Sequence, residues 1–162
     1  MLARTLAASG AVACIIGFGV VAAGAAPDGG SVYFSAAQLR DATAKTEAGI
    51  KTYPLPVGVE AKATAARRDA DGVVEVHLKQ HDLIIPQGGQ ATALVGGRVE
   101  GNKVSAPDEL RGGKITGGTQ YKLAPGDVLW IPAGTPHQML IEKGGSFNYI
   151  FIKYDAQSAP AK

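Results

Sequence analysis

Gly126-Asp127-Val128-Leu129-Trp130-Ile131-Pro132-Ala133-Gly134-Thr135-Pro136-His137 is the stretch whose reading decides the fold. It follows the pattern G-x5-P-x-G-x2-H, and each fixed position has a mechanical reason. Pro125-Gly126 favours a type II turn, because proline presets the first central residue and glycine accepts positive φ at the second. Val128 to Ile131 are apolar and β-favouring, which predicts a short buried strand. Pro132 has no N–H for a sheet ladder, so the strand ends or bulges there. Gly134 and Pro136 form a second corner, and His137 opens the next strand at a fixed place.

Outward from this stretch, short alternating runs punctuated by Gly, Pro and Asp predict an all-β domain. The expected strands are 52–57, 60–68, 73–78, 82–86, 90–95, 98–99, 113–117, 120–123, 128–131, 137–142 and 147–154. Asp69-Ala70-Asp71-Gly72, Gly96-Gly97 and Gly144-Gly145 are expected turns. The polar segment from Glu100 to Arg111 lacks strand periodicity and reads as a long loop joining two halves of a barrel. Upstream, Ser35 precedes a run of helix-forming residues from Ala36 to Lys45. Gln38 completes a capping box with Ser35, and Gly49 is a plausible stop. The apolar residues of this helix are mostly Ala, so it buries little area.

The first 26 residues read as a signal peptide. Arg4 is a short positive region, Leu6 to Ala23 carry no charge, and Ala23-Gly24-Ala25-Ala26 offers small residues for cleavage. A retained membrane anchor is the rival reading, since the apolar run is long enough to span a bilayer. Cleavage implies a periplasmic or secreted protein. The one cysteine, Cys14, falls in this segment, so the mature chain would have neither disulfides nor thiolate chemistry. The expected organisation is signal peptide 1–26, arm 27–51, barrel domain 52–154 and tail 155–162. Formal net charge is +2, and only Arg67-Arg68 places two basic residues side by side, which excludes a nucleic-acid-binding face.

The Gly126–His137 stretch resembles the second sequence motif of the cupin superfamily, small jelly-roll β-barrels (double-stranded β-helices) that often hold a metal ion. It departs at its end: Ile141 stands where such motifs usually carry Asn. The first cupin motif, usually H-x-H followed by an acid and a Gly, is matched by Glu75-Val76-His77-Leu78-Lys79-Gln80-His81-Asp82-Leu83-Ile84-Ile85-Pro86-Gln87-Gly88-Gly89. Glu75 replaces the first His. Strand alternation nevertheless places Glu75 and His77 on one face and Val74, Val76 and Leu78 on the other. If Gly88 is the motif Gly, His81 takes the acid position; if Gly89 is, Asp82 does. The turn after Gly89 favours Asp82, and a slip of one residue would reverse the face.

The chain has three histidines, His77, His81 and His137, and all fall at or beside motif positions. The resemblance implies a divalent transition metal, Fe(II), Mn(II), Zn(II), Ni(II) or Cu(II), held by His77, His137 and either His81 or Asp82. Glu75 would be a further ligand or a general base. A small-molecule ligand in the barrel, metal-assisted oxygenation or isomerisation, and a homodimer are its further implications. Two other readings stand beside it: a metal-free ligand-binding barrel, and a structural barrel pairing through Val74, Val76 and Leu78. Trp130, Tyr149, Phe151 and Tyr154 are expected in core packing.

Overall fold

The structure, a computed structural model, describes residues 33–55 and 62–156. The signal peptide reading, the leader before Tyr33 and the C-terminal tail beyond residue 156 lie outside the described residues. No helix among the described residues is long and apolar enough to cross a membrane.

Helix α1 (Ala36–Ala42) begins as its sequence dictates. The Ser35 hydroxyl accepts from the Gln38 N–H, and the Gln38 side chain accepts from the Ser35 N–H in return. It buries no residue and stops three residues short of the expected end, capped at Thr43. Thirteen strands follow: β1 (Ile50–Leu55), β2 (Lys62–Arg68), β3 (Glu75–His77), β4 (Gln80–Gly89), β5 (Ala91–Val95), β6 (Arg98–Glu100), β7 (Lys103–Ala106), β8 (Glu109–Arg111), β9 (Lys114–Thr116), β10 (Thr119–Leu123), β11 (Leu129–Ile131), β12 (His137–Leu140) and β13 (Phe147–Asp155). One sheet has the order β1-β2-β13-β4-β11, a second β10-β5-β12-β3-β8-β7, and β6 pairs with β9 apart from both. Every pairing is antiparallel.

The two corners of the opening stretch form as their residues require. Asp127 N–H donates to the Ala124 carbonyl across Pro125-Gly126, with Gly126 at φ +99°. Thr135 N–H donates to the Pro132 carbonyl across Ala133-Gly134, with Gly134 at φ +76°. Both glycines occupy the left-handed region that a side chain disfavours. The Gly134 N–H then donates to the carbonyl of His77 at 2.8 Å, which ties this corner to β3.

Period-2 alternation sets what faces inward. On β4, Asp82, Ile84 and Pro86 are buried; on β11, Leu129 and Ile131; on β12, His137 and Met139. Phe147 and Tyr149 at the start of β13 join Ala66, Ile84, Ala91, Ala93, Leu123, Leu129, Ile131 and Met139 in one apolar core. The core occupies the space between the two large sheets.

The structure revises three expectations. The segment 100–111 is not a loop: β7 and β8 form a hairpin, and β8 continues the second sheet by pairing with β3. All four residues of β7 are exposed, so no alternation marks it. Its strand character comes from long-range pairing instead. Trp130 is not core: it is 47% exposed on the outer face of the edge strand β11, between inward Leu129 and Ile131. Tyr154 is 38% exposed beside it, with ring centroids 6.0 Å apart. Val74 and Val76 are buried within the single chain, and of the proposed pairing face only Leu78 is exposed.

Candidate metal centre

Glu75 on β3 and His137 on β12 are directly opposed across the second sheet, and His77 lies two residues along β3 on the same face. Ligand atoms of these three lie within 4.8 Å of one another. Asp82 reaches the same point from β4 in the first sheet. Its Oδ2 is 3.2 Å from His77 Nε2 and 3.6 Å from His137 Nε2. Glu75 Oε2 is 3.5 Å from His77 Nε2 and 3.9 Å from His137 Nε2. His77, Asp82 and His137 are buried.

His81 does not join them. One residue before Asp82 on β4, it faces outward, stacks on Trp130 with centroids 4.9 Å apart, and accepts the Ala133 N–H at its Nδ1. The motif acid is therefore Asp82, and the reason is alternation: adjacent residues on a strand occupy opposite faces. His81 supports the Pro132–Gly134 corner from outside the barrel.

The sequence reading missed the residues that fix the ligand geometry. Glu109 on β8 sits across from His77 in the strand register, and its carboxylate accepts from His77 Nδ1. The Thr135 carbonyl accepts from His137 Nδ1 at 3.1 Å. Both rings thus spend Nδ1 on a fixed acceptor and turn Nε2 toward the carboxylates, the arrangement that orients a metal-binding imidazole. Three cations close the network. Lys153 Nζ is 2.7 Å from Asp82 Oδ1. Arg111 bridges Glu75 Oε1 and Glu109 Oε1, at 2.7 Å from each. Arg68 lies 4.0 Å from Glu75 and donates from Nε to the Tyr149 hydroxyl at 3.0 Å.

These surroundings set the charge states. Burial alone would raise the Glu75 pKa. The hydrogen bond from His77 and the charges of Arg111, His137 and His77 outweigh it and hold the carboxyl at about 2. Such a carboxylate is a weak base at neutral pH and suits a ligand better than a proton acceptor. For His77, burial disfavours the charged form, but Glu75, Asp82 and Glu109 together raise the pKa above the ordinary 6.5 against the opposing Lys153. For His137 burial prevails over the neighbouring carboxylates, and its pKa is lowered.

No family model and no curated sequence matches the chain. Solved structures do. A conserved protein with a double-stranded β-helix domain from Klebsiella pneumoniae superposes with a TM-score of 0.56 at 12% identity, covering 80% of this chain and 95% of that one. The fold is an all-β double-stranded β-helix. TT1209 from Thermus thermophilus superposes with a TM-score of 0.53 at 16% identity, over 74% of this chain and 95% of its own. The plu4264 protein of Photorhabdus luminescens gives 0.50 at 14% identity, over 71% and 82% of the two chains.

The barrel brings Glu75, His77 and His137 to a spacing that fits a cation, with the Asp82 carboxylate beside both imidazoles. Donors about 2.1 Å from a shared tetrahedral ion lie about 3.4 Å apart. The four measured carboxylate-to-Nε2 separations run from 3.2 to 3.9 Å. Two imidazoles and two carboxylates are a donor set for a borderline or hard divalent ion. A cavity of about 370 Å³ adjoins the cluster, walled by Ile50, Met139 and Phe151 as well as the charged groups.

Proposed function

We propose that this cupin is an exported metal-binding protein that holds one divalent transition ion through Glu75, His77, Asp82 and His137 and receives a small molecule in the adjoining cavity. One observation carries the reading. His137 commits Nδ1 to a carbonyl and stays neutral, so its Nε2 lone pair faces Glu75 Oε2 and Asp82 Oδ2 at 3.9 and 3.6 Å. Those distances exceed hydrogen-bond length, and a buried lone pair against two carboxylates is repulsive unless a cation stands between them.

A bound divalent ion would supply Lewis acidity toward an oxygen of the ligand. The chain's own residues do the rest: Glu109 and the Thr135 carbonyl aim the imidazoles, and the apolar walls limit water. Metal-assisted oxygenation and isomerisation are the reaction classes that suit such a site. The leader at residues 1–26 supports export. A second reading, a metal-free ligand-binding barrel, is favoured by the charge pairs Lys153–Asp82 and Arg111–Glu75, each at 2.7 Å, which neutralise the carboxylates without an ion.

Elemental mass spectrometry on untagged protein purified from its own compartment separates the two. About one equivalent of a transition metal, lost in His77→Ala and His137→Ala with the fold retained, is the expected result. A folded wild type that stays empty after incubation with Fe(II), Mn(II), Ni(II) and Zn(II) overturns the metal reading.

A further inference from the structure

The cavity has a charge problem that a metal ion creates and does not solve. In the chain alone, Lys153 is matched by Asp82, and Arg111 by Glu75 and Glu109. Among the described residues, Arg68 has only the distant Glu75 carboxylate at 4.0 Å and the neutral Tyr149 hydroxyl. A divalent ion held by Glu75 and Asp82 absorbs both of their charges. Arg111 keeps Glu109. Lys153 and Arg68 are then left without a counter-charge on the cavity wall, where their side chains are only 19% and 12% exposed. Cations that far from solvent are costly unless an anion accompanies them. Asp71 also borders the cavity, but it is exposed and its carboxylate accepts the Ile141 N–H at 2.7 Å.

The surroundings keep Arg68 in place for this task. A Cβ at residue 72 would come within 3.0 to 3.3 Å of the Arg68 guanidinium, so Gly72 leaves the room that the head group occupies. Lys153 Nζ lies 5.7 Å from the centre of the Phe151 ring, so cation and apolar wall are neighbours. Resting on the metal reading above, we infer that the cavity takes a small organic acid, with its carboxylate on Arg68 and its apolar body against Ile50, Met139 and Phe151. Arg68 is the discriminating residue, because it is outside the metal cluster and its guanidinium can bind a carboxylate through two parallel hydrogen bonds.

Titration calorimetry on the full chain loaded with Zn(II), using benzoate and its neutral counterpart benzamide, tests this. Benzoate is expected to bind at least about tenfold more tightly than benzamide. Arg68→Gln is expected to lose about tenfold in benzoate affinity and little in benzamide affinity, as removal of a charge-assisted contact implies. Arg68→Lys, which keeps the charge, retains most of the preference, and circular dichroism reports the fold of each variant. Equal binding of the two probes overturns the inference. So does a benzoate preference that persists in folded Arg68→Gln, because the metal alone would then account for it. Zinc content measured on the same samples identifies the other failure: a wild type that retains no zinc removes the metal reading and this inference with it.

Discussion

Glu109 offers the sharpest test of how the site is built, because it stands behind the ligands and acts through His77 and Arg111. Glu109→Ala removes a charge-assisted hydrogen bond from His77 Nδ1, an interaction worth about 1.5–3 kcal/mol. The Glu109 side chain is 17% exposed, so solvent replaces little of that loss. A second effect acts in the same direction. Arg111 contacts Glu109 at 2.7 and 2.8 Å and Glu75 at 2.7 Å; without Glu109 its charge falls on Glu75 alone and competes for a ligand. At about 1.4 kcal/mol per factor of ten, zinc affinity is expected to fall by roughly 10- to 100-fold. Glu109→Gln, which keeps an acceptor for Nδ1 and loses the charge, should lie between wild type and Glu109→Ala. Competition against a chromogenic chelator measures the affinities, and circular dichroism checks that both variants fold. A folded Glu109→Ala within about twofold of wild type would refute the argument that this carboxylate orients His77.

His81→Ala should leave metal content unchanged while altering Trp130 fluorescence, since the ring it stacks on is lost; Asp82→Ala should lose metal, and the reverse pattern would restore His81 as a ligand. The pH dependence of metal uptake follows from the two histidines. His77 has a raised pKa and holds its proton to a higher pH than an ordinary histidine, whereas His137, with a lowered pKa, is already neutral. Just above pH 6.5 the proton that an ion displaces should therefore come mainly from His77, and apparent affinity should weaken about tenfold per unit as pH falls well below the His77 pKa. Calorimetry in buffers of different ionisation enthalpy counts that proton; release of none, or of two, contradicts the assignment.

The parts of this fold that depend on neighbours in sequence were legible. Ser35 and Gln38 form their capping box, and Gly126 and Gly134 take the positive φ that their turns require. Long-range pairing was not legible. Glu109-Leu110-Arg111 becomes a strand because β3 offers it a partner, and its one local hint was the charged–apolar–charged alternation that puts Glu109 and Arg111 on one face. Trp130 was misjudged for a related reason. An edge strand has one face on the core and one in water, and an apolar run does not say which residues take which. At the site, Glu75, His77 and His137 could be aligned by motif spacing. The choice between His81 and Asp82 needed the phase of β4, which a ten-residue strand preserves and a count back from paired glycines does not.

Because Glu75, His77 and His137 belong to one sheet and Asp82 to the other, a single ion would join the two walls of the barrel and bring together residues far apart along the chain. In a sequence whose one cysteine is at position 14, that ion would take the place of a cross-link. It differs from a disulfide in kind. A disulfide acts mainly by restricting the unfolded chain, whereas a reversibly bound ion stabilises the native state by mass action, about 4 kcal/mol at a thousandfold excess over its dissociation constant. The durability of this barrel would then be set by the supply of metal around it.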